Sequence, residues 1–341
     1  MRNDDITLQP SKYLNDTPIE RTLFNAFKWG FVLFYVLFML VLFFMGDFIE
    51  QPRKFNPSAK GGNWMSYISD DTYISDISIP GTHDSASYRR GGIYSLAHCQ
   101  NLNLENQLKV GVRYFDIRLD KDYKDRLYVY HGILNQQISF DEVWNIFNNF
   151  LKEHPSETIL MSIKCEDSNN KETMRFIHED LLTKQDNMYT GNKVPKLGDV
   201  RGKIVLFRRY SFYGYFGINA RGHGTEYNCT YNIEGYGADF HIQDNCILEE
   251  RSELADKWDF VRVCLDYCRN RKVPTTFVIN VTAAYVKQAP NLDIPRYKYV
   301  RDYIQPRLKE YILSQPKICY GIILFDCISE DLSSLIYETN F

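Results

Sequence analysis

The chain has 341 residues, with 40 basic and 43 acidic side chains and a formal net charge of −3 at pH 7. No basic stripe with interleaved aromatic residues runs along it, so we expect no nucleic-acid partner. The length suits one α/β barrel with an N-terminal extension and does not require a second domain.

One strong shift in composition lies near the start of the chain. Residues 29 to 46 read WGFVLFYVLFMLVLFFMG, an uncharged apolar run of about the length that crosses a bilayer. No small-x-small cleavage pattern follows it, which favours an uncleaved anchor over a secretory signal or a buried helix. The sequence therefore predicts a single-pass membrane protein. Basic residues are nearly balanced on the two sides of the run, and a lumenal or extracellular catalytic domain is preferred over a cytoplasmic one.

The predicted anchor divides the chain into four segments. They are a polar tail (1–28), the transmembrane anchor (29–46), a juxtamembrane linker with Pro, Gly and Asn (47–62) and a catalytic barrel (63–341).

Short runs rich in β-branched and aromatic residues alternate with helical patterns in the barrel segment. Eight such runs are strand candidates: DISI (76–79), VRYFDIRL (112–119), LYVYHG (127–132), TILMSIK (158–164), KIVLFRR (203–209), GADFHIQ (237–243), TTFVINV (275–281) and GIILFDC (321–327). Strands separated by crossover helices form a parallel sheet. We therefore predict an α/β fold, an irregular (β/α)8-like TIM barrel.

Two helices between these runs have clear boundaries. Ser139 is the predicted N-cap of a helix that presents Val143, Phe147 and Leu151 on one face and ends at Pro155. The segment 293–316 is predicted as one or two helices interrupted at Pro306.

Polar side chains lie at or just after the C-terminal ends of the predicted strands, where the active site of such a barrel is built. They are His83, Arg118, His131, Lys164, Arg209, Asp244 and Asp326. A lone His or Arg at a strand end is more often a structural group than a catalytic one. The convergence of several on one rim favours a functional site.

The chemistry of this set points to phosphodiester transfer. Two imidazoles near neutral pH supply a general base and a general acid. Arg118 has the planar fork that binds non-bridging phosphate oxygens. Asp326 and Asp84 are candidates to orient the two imidazoles.

The order of the motifs carries a family resemblance. ISIPGTHDS, GVRYFDIR, YHG, PSETILMSIK, LGDVRGKIVLFRRY, FHIQD, FVIN and GIILFDCISE follow one another over residues 64–341. In this order and spacing they resemble the X domain of phosphatidylinositol-specific phospholipase C, closest to the bacterial metal-independent type.

The resemblance implies a role for each catalytic candidate. His83 would be the general base that activates the inositol 2-hydroxyl, with Asp326 as its partner. His131 would be the general acid that protonates the diacylglycerol oxygen, supported by Asp84, and Arg118 would bind the phosphate. The implied products are diacylglycerol and inositol 1,2-cyclic phosphate. The implied substrate is a membrane phospholipid in a lipid bilayer, either phosphatidylinositol or its glycosylated form.

The resemblance also implies an inositol pocket and no metal. Asp116, Lys164, Arg209 and Asp244 match positions that bind the inositol hydroxyls, although Asp116 and Lys164 could instead be a buried ion pair. Arg118 would take the place of the calcium ion of the eukaryotic branch, so no cofactor is expected; Glu166 leaves calcium open as an alternative. Cys246 stands where bacterial members carry a Tyr that packs on the inositol ring.

Two alternatives remain open. One is another phosphodiesterase on the same barrel, which would use metal-binding acidic clusters. The other is a non-catalytic membrane protein that binds inositides, which would not need the full catalytic set. Among the eight cysteines, Cys229 and Cys246 are candidates for a disulfide, and no CxxC pair supports a zinc site.

Overall fold

A curled, mostly parallel β-sheet forms the frame of the fold. The computed structural model describes residues 27–37, 61–212, 214–221, 223, 230–233, 237–288 and 296–341. Most of the predicted polar tail and juxtamembrane linker lies outside this described part, as does Cys229 of the suggested disulfide. The other seven cysteines are free thiols.

The strands and helices alternate along much of the chain. The strands of the described part are β1 (Ile79–Thr82), β2 (Tyr114–Lys121), β3 (Leu127–His131), β4 (Leu134–Ser139), β5 (Ile159–Cys165), β6 (Met188–Tyr189), β7 (Ile204–Arg208), β8 (Ile218–Asn219), β9 (Thr230–Ile233), β10 (Asp239–Gln243), β11 (Ile247–Leu248), β12 (Thr276–Val281), β13 (Tyr285–Val286) and β14 (Ile322–Phe325). The α-helices are α1 (Leu104–Lys109), α2 (Phe140–Glu153), α3 (Lys171–Thr183), α4 (Leu197–Val200), α5 (Leu254–Asn270), α6 (Arg296–Ser314) and α7 (Glu330–Tyr337).

The sheet is a barrel with an opening in it. Its neighbouring parallel strands run in the order β7, β5, β2, β1, β14, β12 and β10. Strand β1 pairs with both β2 and β14, so the beginning and the end of the domain are joined in the middle of the sheet. Within the described residues no strand pair links β7 to β10. The parallel-barrel prediction is therefore confirmed in its coarser form, and a closed eight-stranded ring is not observed.

One of the eight predicted barrel strands belongs elsewhere. The run LYVYHG forms β3, which pairs antiparallel with β2 and with β4 as an outer hairpin. Only residues 122–126 separate β2 from β3. A parallel crossover needs about a dozen residues or more, so this connection permits only an antiparallel return. The other seven runs supply the parallel strands, with the first displaced to Ile79–Thr82.

Alternation along the strands creates two apolar cores. On β2, Phe115 and Ile117 face outward and pack with the helices, whereas Tyr114 faces the barrel interior. The interior cluster takes every second residue of the neighbouring strands: Leu160, Val205, Phe207, Phe240, Ile242, Phe277, Ile279, Ile322 and Leu324. Gly81 of β1 leaves space for one of them, because a Cβ there would lie 3.1 Å from the Cβ of Tyr114.

The two predicted helices are confirmed. Ser139 caps α2 through a capping box with Glu142, and the helix buries Val143, Phe147 and Leu151. The C-terminal segment forms the single helix α6, which contains Pro306.

The predicted membrane localisation is wrong. Within the described residues, the helices are all too short or too polar to span a bilayer. Of the apolar run 29–46, residues 29–37 belong to a described helical stretch that begins at residue 27, and residues 38–46 lie outside the described part. The prediction of a single-pass anchor rested on the apolar composition and length of the run and on the lack of a cleavage pattern after it.

A buried ion pair closes the end of the barrel where β2 and β5 begin. Arg113 Nη2 lies 2.8 Å from Glu157 Oε2, and both side chains are fully buried. Glu157 Oε1 also accepts a hydrogen bond from the Met65 amide. We expect Glu157→Ala to lower the free energy of unfolding by about 3–5 kcal/mol, because it leaves the guanidinium buried without its anion. Urea denaturation measures this change.

The matched control is Glu172→Ala. Glu172 pairs with Lys121 at 3.0 Å on the surface, where its side chain is 64% exposed. Solvent screens that pair, so the free energy of unfolding should hardly change. Equal effects of the two substitutions would contradict the structural role of the Arg113–Glu157 pair.

Candidate active site

The site lies at the C-terminal ends of the parallel strands, and side-chain alternation explains its composition. On β2 the inward positions are Tyr114, Asp116 and Arg118, so the apolar interior gives way to charged residues within one strand. The same change occurs two residues beyond Phe207, Ile242 and Leu324, and four residues beyond Ile79 and Leu160. It places a set of polar side chains on one rim: His83, Lys164, Arg209, Asp244 and Asp326.

His83 and Asp326 form a side-chain pair in the site. The Nδ1 atom of His83 lies 3.0 Å from Asp326 Oδ1, and Asp326 is buried. The Gln100 side chain donates to the backbone oxygens of both His83 and Phe325, which ties the ends of β1 and β14 together. Burial opposes charge on the imidazole, but Asp84 and Asp326 outweigh it and raise the pKa of His83 to about 9.

Arg118 is the centre of the contact network. Its Nε lies 2.8 Å from Asp84 Oδ1, and its Nη2 lies 3.0 Å from Asp116 Oδ2. The same Nη2 is 2.8 Å from His83 Nε2. Two N–H donors would repel each other at this distance, so the contact requires that Nε2 carries no proton. The raised pKa of His83, by contrast, favours the protonated imidazole. We assign the neutral imidazole to the contact with Arg118, whose positive charge opposes protonation of His83.

Asp84 lies between the two histidines. Its Oδ2 is 3.2 Å from His83 Nε2 and 3.6 Å from His131 Nε2, and His131 Nδ1 is 3.1 Å from the Ala97 carbonyl oxygen. Asp84 has a left-handed backbone with φ of 43°, an uncommon conformation for a residue with a side chain. Burial opposes the charge of Asp84. Arg118 has the largest opposing effect, followed by His131 and His83, and together they hold the pKa of Asp84 below its usual range.

Asp116 does not pair with Lys164. It accepts from Arg209 Nη1 at 2.7 Å and from Arg118, and these two guanidinium groups overcome burial and hold the pKa of Asp116 far below its usual range. Lys164 instead lies 3.7 Å from Glu166 Oε2. Burial, with Arg118 and Arg209 adding to it, lowers the pKa of Lys164.

Asp244 has a partner that sequence reasoning missed. His223 Nε2 lies 3.4 Å from Asp244 Oδ2, and the His223 carbonyl oxygen accepts from Arg209 Nε at 3.2 Å. Although burial opposes its charge, the contact with His223 lowers the pKa of Asp244. His223 stands in a Gly- and Tyr-rich stretch without periodicity, so only its residue type could have signalled a role.

Cys99 is the second residue that sequence reasoning missed. Its thiol comes close to two sets of potential metal ligands, one with His83 and Asp326 and the other with Asp84 and His131. Burial raises the pKa of Cys99 well above its usual range, which disfavours the thiolate that binds metals. The guanidinium of Arg118 already pairs with Asp84, and Asp326 pairs with His83, so these residues fit a cation poorly.

The Asp326 contact leads to a prediction about pH. Asp326→Asn removes one of the two carboxylates that raise the pKa of His83. If His83 is the base, the acidic limb of the kcat/KM–pH profile should move to lower pH, and the plateau should fall because the imidazole loses its orienting partner. A pH profile of the variant beside the unmodified protein measures both. An unchanged acidic limb with normal folding would contradict the pairing.

Together, the open parallel barrel and the neighbouring β3 hairpin bring two histidines, an arginine and several carboxylates to one end of the sheet. Residues 77–210 match the family described as phosphatidylinositol-specific phospholipase C, X domain. This part of the chain is thus similar to the X domain of that family, and the resemblance inferred from the motifs is confirmed.

Individual relatives agree with this assignment. The chain is 35% identical over 188 residues to a 1-phosphatidylinositol phosphodiesterase of Listeria monocytogenes, an alignment that covers 52% of this chain and 57% of that protein. It is 33% identical over 189 residues to the protein of the same name from Staphylococcus aureus, covering 52% of this chain and 54% of the relative. The chain thus spans about half the length of the curated relatives it matches.

Solved structures match over more of the chain. The phosphatidylinositol-specific phospholipase C of Listeria monocytogenes superposes with a TM-score of 0.67 and 27% identity, covering 82% of this chain and 99% of that one. A pentafluoro-Phe variant of the Staphylococcus aureus enzyme gives a TM-score of 0.73 and 25% identity, covering 84% of this chain and 100% of that one. The fold match therefore extends well beyond the family-matched residues.

Proposed function

We propose that this protein is a phosphatidylinositol-specific phospholipase C of the metal-independent type. The observation that carries the proposal is the contact of Arg118 with His83, Asp84 and Asp116, beside the His83–Asp326 pair. This arrangement places an anion-binding fork next to an oriented imidazole. The X-domain match and the 1-phosphatidylinositol phosphodiesterase relatives support phosphatidylinositol as the substrate.

The reaction starts with the inositol 2-hydroxyl. A phosphate bound by Arg118 draws its guanidinium away from His83, and the Nε2 atom of the neutral imidazole becomes free to take the hydroxyl proton. Asp326 keeps the other ring proton on Nδ1 and stabilises the imidazolium that forms. The 2-oxygen then attacks phosphorus within the same molecule, so no external nucleophile is needed.

His131 completes the proton balance. It stands across Asp84 from His83, so the two imidazoles lie on the two sides of one carboxylate. In its protonated form it gives a proton to the diacylglycerol oxygen as the bond to phosphorus breaks. The products are diacylglycerol and inositol 1,2-cyclic phosphate. Arg118 stabilises the negative charge on the phosphate oxygens during the step.

Recognition of the inositol ring falls to the charged residues around Arg209. Asp116, Arg209 and Asp244 are linked through His223, and Lys164 lies beside Glu166 on the same rim. Charged groups with several hydrogen-bonding atoms suit the neighbouring hydroxyls of a polyol. Cys246 follows Asp244 by two residues and adds no ring surface. The pocket would therefore hold the inositol by hydrogen bonds more than by ring packing.

The test uses the full chain with phosphatidylinositol vesicles in EDTA. We expect release of diacylglycerol and inositol 1,2-cyclic phosphate, and a loss of both with His131→Ala. A 2-O-methyl phosphatidylinositol should bind without being cleaved, because the attacking hydroxyl is blocked. A chain that binds vesicles but releases no diacylglycerol above the His131→Ala background is an inositide-binding protein instead. Activity that appears only with added calcium would overturn metal independence.

A parallel assay distinguishes the two substrate forms. A protein carrying a glycosylphosphatidylinositol anchor replaces the vesicles, and release of the protein from its lipid is measured. Cleavage of both substrates indicates that the pocket accepts a substituted inositol. Cleavage of phosphatidylinositol alone restricts the substrate to the free lipid.

A further inference from the structure

Two cysteine side chains meet at the end of the barrel opposite His83. Cys268 lies near the end of α5, and Cys319 lies three residues before the start of β14, whose other end leads to Asp326. Their Sγ atoms are 3.9 Å apart, and both thiols are free. Cys268 is buried, whereas Cys319 is partly exposed. A disulfide bond requires about 2.0 Å between the sulfurs, so a small rotation of the side chains would join them.

The surroundings of Cys319 favour its thiolate. Its Sγ accepts a hydrogen bond from the Gly321 amide at 3.3 Å, and Arg271 Nη2 lies 3.6 Å away. Arg271 is held in place by an ion pair with Asp76 and by a hydrogen bond to the Ser75 carbonyl oxygen. The hydrogen bond from Cys268 contributes most, followed by Arg271 and the Gly321 amide. Together they lower the pKa of Cys319 against the opposing effect of burial.

Cys268 has the complementary character. Its contact with Cys319 and its burial raise the pKa of its thiol, so Cys319 is the more acidic thiol of the two. It packs in a small cluster with Cys264 and Val278. A partly exposed cysteine with the more acidic thiol thus contacts a buried cysteine with the less acidic thiol, which is the arrangement of an attacking and a resolving thiol.

We propose that Cys319 and Cys268 are a redox-active dithiol that reacts with a low-molecular-weight disulfide such as oxidised glutathione. The Cys319 thiolate attacks one glutathione sulfur, the glutathione disulfide breaks, and one glutathione thiolate leaves. Cys268 then loses its proton to solvent and attacks the Cys319 sulfur, which expels the second glutathione thiolate. The two protein thiols are oxidised to one disulfide, and the small disulfide is reduced to two thiols.

The new bond would join the end of α5 to the start of β14. It closes a loop that includes β12 and α6, and it restricts the unfolded chain more than the folded one. We therefore expect the oxidised protein to unfold at a higher temperature than the reduced protein, by about 5 °C or more. The catalytic rim lies at the opposite ends of the strands, so the bond forms without any contribution from the proposed active site.

The experiment equilibrates the full chain with mixtures of oxidised and reduced glutathione, traps free thiols by alkylation and identifies linked peptides by mass spectrometry. Trypsin places Cys268 in a peptide with Cys264 and places Cys319 in a peptide with Cys327. Fragmentation of the linked pair must therefore assign the bond. We expect the Cys268–Cys319 link, and alkylation of Cys319 in the reduced protein about 10-fold faster than that of Cys264.

Matched variants separate the pair from its neighbours. Cys264→Ala changes the adjacent buried thiol and should leave the disulfide intact, whereas Cys268→Ser should stop the reaction at a mixed disulfide of Cys319 with glutathione. A link between any other two cysteines would overturn the proposal. So would a stable mixed disulfide on Cys319 in the unmodified protein, because it would show that Cys268 does not resolve it. These measurements use the folded wild-type chain and need no enzymatic activity.

Discussion

Replacing His83 with Ala should lower kcat/KM for phosphatidylinositol by about 10³- to 10⁴-fold, because the 2-hydroxyl loses its proton acceptor. His83 is the residue at which Asp326, Asp84 and Arg118 converge, each within 3.2 Å of an imidazole nitrogen. The substitution removes a partly exposed side chain and leaves the barrel core untouched. Release of diacylglycerol from vesicles measures the rate, and thermal unfolding checks that the variant folds.

His154→Ala is the matched control for this substitution. His154 follows α2 and packs on Phe150, away from the strand ends that carry the site. It should keep nearly all of the activity. A folded His83→Ala variant with more than a tenth of the original rate would argue that His83 does not accept the proton.

The second large effect is expected from Arg118→Lys. Lysine keeps the positive charge but loses the planar fork that reaches Asp84, Asp116 and His83 together. We expect kcat to fall by about 10²- to 10³-fold, since charge develops on the phosphate oxygens in the transition state. KM should change less. Steady-state kinetics over a range of vesicle concentrations separates the two constants.

Arg126→Lys provides the comparison for this prediction. Arg126 also forms a forked contact, with Asp122, but it lies on the surface near the β2–β3 turn. Its replacement should leave kcat unchanged. A loss of activity in both variants would point to a general effect of weaker arginine contacts, and an active Arg118→Lys variant would show that a point charge is sufficient.

The network around Arg118 also explains why Asp84 was only partly understood from the sequence. The motif resemblance linked Asp84 to His131, whereas its shortest contacts are with Arg118 at 2.8 Å and His83 at 3.2 Å. Asp84 has a left-handed backbone conformation, and its carboxylate lies between Arg118 and His83. Such a conformation depends on the surrounding chain, so residue order alone does not reveal which neighbour Asp84 meets.

The strand hairpin and the apolar N-terminal run show two limits of pattern reading. LYVYHG has the composition of a barrel strand, but its short connection to β2 makes it an antiparallel return. The run 29–46 has the composition of a membrane span, yet the described helices include none that could cross a bilayer. In both cases composition indicated an element type and could not determine its partner or its surroundings.

The sequence by itself determined the parallel-barrel class, the α2 helix with its Ser139 cap and the rim residues of the site. These features depend on short-range patterns. Side chains alternate along a strand, so every second residue faces the barrel interior, and the inward-facing residue at the end of the strand lies on the rim. Only the tertiary structure decided which charges pair. Arg118 and Arg209 share Asp116, His223 reaches Asp244, and Cys268 meets Cys319, all through contacts between residues distant in the chain. Such pairings depend on the register and curvature of the sheet, which no local pattern encodes.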